Sequence, residues 1–165
     1  MEQIVVDPDR CTGCRSCELG CAVRHSKAKT LLGAISESPL PRKRLFVETF
    51  GGRTGPVICR HCADAPCVKS CISGCLYHDE RGFVRRRKER CIGCWSCVAA
   101  CPFGVITPDP VLGLAVKCDR CHKSAMPACV EACPTGALTL ADLDAVAAAA
   151  RRQVLAAEAG QKKGA

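Results

Sequence analysis

Sixteen of the chain's seventeen cysteines fall into four close-set quartets, and that grouping limits what 165 residues can fold around. The first is Cys11, Cys14, Cys17 and Cys21, in CTGCRSCELGC. The second is Cys59, Cys62, Cys67 and Cys71, in CRHCADAPCVKSC. The third is Cys91, Cys94, Cys97 and Cys101, in CIGCWSCVAACP, and the fourth is Cys118, Cys121, Cys129 and Cys133, in CDRCHKSAMPACVEACP. Such an internal repeat sets the architecture. Cysteine usage is far above the ordinary, whereas aromatic residues are only 4% and there is one Trp. The large rings that usually fill a core are scarce. The sulfurs are expected to organise the interior instead.

The repeat extends past the cysteines. Cys133-Pro134-Thr135-Gly136-Ala137-Leu138 aligns with Cys101-Pro102-Phe103-Gly104-Val105-Ile106 and with Cys71-Ile72-Ser73-Gly74-Cys75-Leu76. In this register the seventeenth cysteine, Cys75, occupies the place of Val105 and Ala137, and reads as a small buried hydrophobe.

Disulfides, zinc and iron–sulfur clusters compete for this many cysteines. The N-terminus has no basic stretch, apolar run or twin arginine before Cys11. The expected compartment is therefore the reducing cytoplasm, where structural disulfides are rare. No run approaches the roughly 18 to 20 apolar residues of a membrane span, so no direct membrane insertion is expected. Structural zinc uses two cysteine pairs a dozen or more residues apart. Here three ligands fall within seven residues in two quartets, and closing one tetrahedron from such a quartet strains the loop. The first and third quartets have the C-x2-C-x2-C-x3-C spacing of bacterial-type ferredoxins, whose fourth cysteine ligates the neighbouring cluster. The second and fourth keep the last spacing and lengthen the loop before it. Four [4Fe–4S] clusters are the reading that the spacing favours; a zinc scaffold is the remote alternative.

The formal net charge of +8 resembles a nucleic-acid signal. Each oxidised cluster with four thiolates adds roughly −2, so four add about −8 and bring the loaded chain near neutrality. The basic excess reads as compensation for buried anions, and no nucleic-acid partner is expected.

The quartets resemble those of four-cluster ferredoxin-type electron-transfer subunits, such as accompany dimethyl sulfoxide reductase, formate dehydrogenases, formate hydrogenlyase, carbon monoxide dehydrogenase and tungsten aldehyde oxidoreductases. The resemblance runs from Gln3 to Leu140, with local departures at Ala22 and Ile72, which follow the first two quartets. It implies an α+β, ferredoxin-like fold of two pseudo-symmetric dicluster halves. Quartets one and four form one half and quartets two and three the other, within a domain over 1–140 that a C-terminal helix and tail over 141–165 follows. The implied ligand sets are Cys11, Cys14, Cys17 and Cys133; Cys118, Cys121, Cys129 and Cys21; Cys59, Cys62, Cys67 and Cys101; and Cys91, Cys94, Cys97 and Cys71. It further implies a non-catalytic subunit that passes single electrons between a catalytic oxidoreductase subunit and a second redox partner. A molybdenum- or tungsten-pterin enzyme such as an aldehyde oxidoreductase is the first candidate. A carbon monoxide dehydrogenase or hydrogenase subunit, a free-standing polyferredoxin and self-association into a longer wire are alternatives.

Elsewhere, Ile4 to Val6 reads as a short strand, and Leu45 to Phe50 as extended before a turn at Gly51-Gly52. A hairpin is expected over Tyr77 to Val84, and segment 26–44 reads as an exposed loop or docking surface. Ala141 to Ala159 favours helix, with Leu143, Val146, Ala147, Ala150 and Val154 as one apolar stripe, expected to pack on its own domain or on a partner. Gly160 is the expected stop, and 161–165 a frayed tail. His25, His61, His78 and His122 are read as contacts rather than ligands. Arg15, Arg60, Lys69, Arg120 and Lys123 are read as positive charge near the clusters, and Trp95 as a shield. Gly51-Gly52-Arg53-Thr54-Gly55 lacks the Lys-Ser/Thr pair of a phosphate loop. No catalytic residues are expected.

Overall fold

The computed structural model describes residues 2–161. It is an α+β chain whose sheets are all two-stranded antiparallel ribbons. The first ribbon joins the two ends of the cysteine-bearing region, strand β1 (Glu2–Val6) pairing with β8 (Leu138–Asp142) and Ile4 facing Leu140. The others are local hairpins: β2 (Phe46–Phe50) with β3 (Arg53–Val57), β4 (Leu76–His78) with β5 (Val84–Arg86), and β6 (Thr107–Asp109) with β7 (Leu114–Val116). The strand at 4–6 and the two hairpins at 46–57 and 76–86 match expectation, whereas β8, the partner of β1, was not expected. The fourth ribbon was not expected, because Pro108 and Pro110 argue against strand. A lone ribbon tolerates Pro108, since its outer edge needs no donor.

Helices are short apart from the last. They are α1 (Ser16–His25), α2 (Leu31–Ile35), α3 (Pro66–Lys69), α4 (Ser96–Ala100), α5 (Ala128–Glu131) and α6 (Leu143–Gln161). α1, α3, α4 and α5 each begin inside a quartet and carry its third cysteine, so the helices present the sulfurs. α1 and α5 approach closely at Gly20, where an added Cβ would lie 2.8 Å from Ala132 Cβ and 3.2 Å from the Ala128 carbonyl oxygen.

Two buried cores result. One contains Cys17, Cys21, Leu45, Val47, Ile58, Cys129 and Leu138, with Cys11 and Cys133 against it. The other contains Ala65, Cys67, Leu76, Val84, Cys97, Ile106 and Ala115, with Cys62, Cys71, Cys91, Cys101 and Trp95 against it. Sulfur stands in both where large apolar side chains usually do.

Segment 26–44 is not wholly an exposed loop. Thr30 caps α2, its Oγ1 accepting from the Gly33 N–H at 3.3 Å, and Ser26 and Ala34 are buried. Beyond α2 the segment reaches the second core, where Arg42 donates to the Pro108 carbonyl at 2.8 Å. The C-terminal helix begins two residues later than expected, since Ala141 and Asp142 belong to β8; Asp142 Oδ1 accepts from the Asp144 N–H at 3.0 Å and so opens the helix. It also runs through Gly160 to Gln161, so Gly160 is no stop. Its stripe does not pack on the domain: Val154 is 58% exposed, and only the first turn, at Leu143 and Val146, meets the β1 ribbon. A single glycine costs a helix about 1 kcal/mol, too little to end it. The remainder of the expected tail, 162–165, lies outside the described residues.

A buried carboxylate ties α1 to the β2–β3 ribbon. Glu18 is buried, and its Oε1 accepts from the Val47 N–H and lies 2.7 Å from Lys43 Nζ. Glu18→Ala is expected to strand the Val47 N–H at a cost of about 1–3 kcal/mol, and Glu18→Gln, which keeps an acceptor, less. Anaerobic denaturant titration of both variants checks this.

Candidate metal centre

The local fold of each quartet follows from its glycines and its left-handed residues. Before the helices α1 and α4, the chain must wrap three cysteines around one point within seven residues. Gly13 and Gly93 take φ of +73° and +66°, and Arg15 and Trp95, the helix-capping positions, both take φ of 60°. Positive φ is costly for a residue with a Cβ. Its recurrence at matching positions marks a loop shaped by what it encloses. A short 3-10 turn leads into each, at Pro8–Arg10 and Lys88–Arg90. Past the quartets, Gly74, Gly104 and Gly136 sit at φ of +61°, +61° and +66°, which explains the glycine three residues after Cys71, Cys101 and Cys133.

All seventeen cysteines are free. One small cavity is lined by Cys11, Cys14, Cys17 and Cys133, together with Val47 and Leu138. Three sulfurs of the first quartet thus meet the last sulfur of the fourth. Around Cys21, burial raises the thiol, with negative charge at Cys118, Cys129 and Cys121 adding to it. Burial pushes Cys129 up to about 12, and Cys118, Cys121 and Cys17 reinforce that. In the second core, burial raises Cys67, whose neighbours include Cys59, Cys101 and Cys62, and pushes Cys97 up to about 11, beside Cys71, Cys91, Cys67 and Cys94. Crowded, buried thiols resist ionising on their own. A coordinated cation removes that penalty, because it deprotonates the thiol outright. The donor set therefore fits iron–sulfur clusters: sulfur only, buried and convergent. Backbone N–H groups already point at two of the sulfurs, Leu76 to Cys71 Sγ at 3.4 Å and Arg120 to Cys118 Sγ at 3.3 Å.

Cys75 stands apart from these groupings in its bonding. It is 2% exposed and its thiol donates to the Arg87 carbonyl at 3.1 Å. Burial, with Cys91 and Cys71 nearby, pushes the thiol up to about 12.

The charged residues divide sharply. Arg15, Arg60, Lys69 and Lys123 are exposed, Arg15 beside Glu18 and Lys69 beside Asp64, so they act as solvated charge. Arg120 is half-buried over the Phe83 ring and donates to the Glu2 carbonyl. Trp95 packs half-buried against the second core. Three histidines make contacts: His25 with the Cys21 carbonyl at 2.7 Å and Asp119 at 3.1 Å, His78 with the Cys62 carbonyl at 3.0 Å, and His122 with Asp119. His61 differs, being buried with no hydrogen-bond partner on either ring nitrogen.

Asp119 was not singled out by the sequence, yet it gathers the junction between the cores. Arg44 lies 2.7 Å from one carboxylate oxygen, His25 3.1 Å from the other, and the Cys121 N–H donates to it. Burial alone would raise this carboxyl, but the His25 hydrogen bond and the Arg44 charge hold it well below the usual range. Its place one residue after Cys118 was the available signal.

Cys133→Ala is expected to cost about four iron, the content of one cluster, at the cavity it shares with Cys11, Cys14 and Cys17, whereas Cys75→Ala is expected to lose none. Iron and labile-sulfide analysis of the anaerobically reconstituted proteins distinguishes them.

Comparison with known proteins agrees with this chemistry. Residues 53–143 match the 4Fe-4S dicluster domain, a span that contains the second, third and fourth quartets. An iron-sulfur protein of Rhodospirillum rubrum is 41% identical, the alignment covering 90% of this chain and 86% of that protein. The electron transport protein HydN of Escherichia coli (strain K12) is 38% identical over 91% of this chain and 95% of its own. The thiosulfate reductase electron transfer subunit PhsB of Salmonella typhi is 39% identical over 84% of this chain and 74% of its own. With sulfurs converging in two cores and relatives of this closeness, the chain belongs to the ferredoxin-type [4Fe–4S] dicluster family of electron-transfer proteins.

Proposed function

We propose that the chain carries four [4Fe–4S] clusters and relays single electrons between a catalytic oxidoreductase subunit and a second redox partner. The observation that carries the reading is the cavity shared by Cys11, Cys14, Cys17 and Cys133. A last cysteine lent to a distant quartet is the ligand exchange of two-cluster ferredoxins. The same exchange elsewhere gives Cys118, Cys121, Cys129 and Cys21; Cys59, Cys62, Cys67 and Cys101; and Cys91, Cys94, Cys97 and Cys71. The charge neighbours of Cys21, Cys67 and Cys97 support each of these sets. The two buried cores support a pair of dicluster halves.

Electrostatic neighbours across sets support a relay order: Cys129 lies near Cys17, Cys118 near Cys59, and Cys97 near Cys67. They favour one line, from the Cys11 set through the Cys118 set and the Cys59 set to the Cys91 set. Each cluster takes up and gives back one electron, and the protein's part is to hold neighbours close and dry. At the two ends of that line, Cys14 and Cys94 are exposed, which suits entry and exit of electrons.

The catalytic partner is a molybdenum- or tungsten-pterin oxidoreductase. The resemblance of the quartets supports this, and the relative named as an electron-transfer subunit of thiosulfate reductase supports service to a catalytic oxidoreductase. Anaerobic purification under native conditions is expected to yield a brown protein with about sixteen iron per chain, together with a larger pterin-containing subunit. A colourless protein, or one holding zinc in place of iron, overturns the cluster reading; a brown protein that co-purifies with no oxidoreductase overturns the subunit reading.

A further inference from the structure

At the junction of the two cores lies a buried cation with no carboxylate to neutralise it. Lys117 is 4% exposed, and lysine is almost never so buried unless it is paired. Its Nζ donates to the Val84 carbonyl at 2.8 Å and to the Cys118 carbonyl at 2.8 Å. Both acceptors are neutral. No carboxylate among the described residues forms an ion pair with it, whereas Arg44, Arg85 and His25 nearby each have Asp119 or Asp79. Carrying an ammonium out of water without a counter-charge costs several kcal/mol, so a fold that keeps one there has an anion close by.

The surroundings say which anion. Lys117 directly precedes Cys118 of the fourth quartet, and its charge also bears on Cys67 of the second. Cys118 in turn feels Cys59, so quartets two and four stand side by side at this point. Beside Lys117 is His61, buried edge-on against the Phe83 ring with ring centroids 5.5 Å apart, held at φ of +47°, and with neither nitrogen hydrogen-bonded. A counter-charge is thus wanting beside the sulfurs of Cys118 and Cys67, next to a buried imidazole without a hydrogen bond. An anionic cluster on each side supplies that charge.

We infer that Lys117 is the shared counter-ion of the two inner cluster sites, a positioning residue whose fixed charge raises both their reduction potentials and eases the electron's passage from one core to the other. The inference rests on the four-cluster reading. Its physical content is simple: reduction adds an electron to each site, and a cation held between them by two carbonyls stabilises the added charge on either. The outer sites, whose Cys14 and Cys94 are exposed to solvent, are expected to gain little.

Lys117→Gln removes the charge and keeps amide donors for the carbonyls; Lys117→Arg keeps the charge. In an anaerobic redox titration followed by electron paramagnetic resonance, Lys117→Gln is expected to weaken reduction of two of the four clusters at least tenfold, about 59 mV for one electron. The other two are expected to hold their wild-type midpoints, and Lys117→Arg to restore all four. Unchanged midpoints, or an equal fall at all four, overturn the inference while the cluster reading stands. Where Lys117→Gln cannot hold its clusters, iron content decides: retention by Lys117→Arg supports the counter-ion role, and loss from both variants overturns it. A wild-type chain without four clusters overturns the cluster reading, and the inference with it.

Discussion

Sulfur convergence is what the rest of this chain depends on. Each sheet in the described residues is a two-stranded ribbon, and such ribbons are marginal alone in water. Four of the six helices are five residues or fewer, below the length at which helices hold themselves. What ribbons and helices pack against is cysteine carried inward by α1, α3, α4 and α5: Cys17, Cys21 and Cys129 in one core, Cys67 and Cys97 in the other. These thiols are buried and raised well above their ordinary range, so without metal they are neutral, small and poor at holding anything together. Folding is therefore expected to depend on cluster assembly in the manner of small metal domains.

The quartets were legible because their spacing is a local, chemical constraint: three sulfurs within seven residues leave few geometries, and the fold supplies them with glycine at 13 and 93 and a left-handed residue at 15 and 95. The glycines at 74, 104 and 136 were legible as a pattern, and their positive φ gives the pattern its cause. Other features depend on distant contacts. The β6–β7 ribbon hides behind Pro108, and the burial of Ala34 depends on where segment 26–44 lies. The outward stripe of α6 was visible as a stripe, but nothing in its periodicity tells whether the domain has room for it. His61 read as a contact rather than a ligand and Lys117 did not stand out, because sequence adjacency carries no information on burial.

The distribution of positive charge joins these observations. A surface that grips nucleic acid holds its lysines and arginines outward. Here several turn inward: Lys117 is buried, Arg44 is bound to Asp119, and Arg86 is half-buried with its guanidinium on the Ala115 carbonyl. Burial, with Arg44 close by, lowers Arg86, which is the strain expected of cations packed together without enough anions. Asp79 and Asp119 answer for part of that charge. Lys117 has no such partner among the described residues and lies where Cys118 and Cys59 come together, so that part of the positive charge is placed to complement anionic groups held by the thiols.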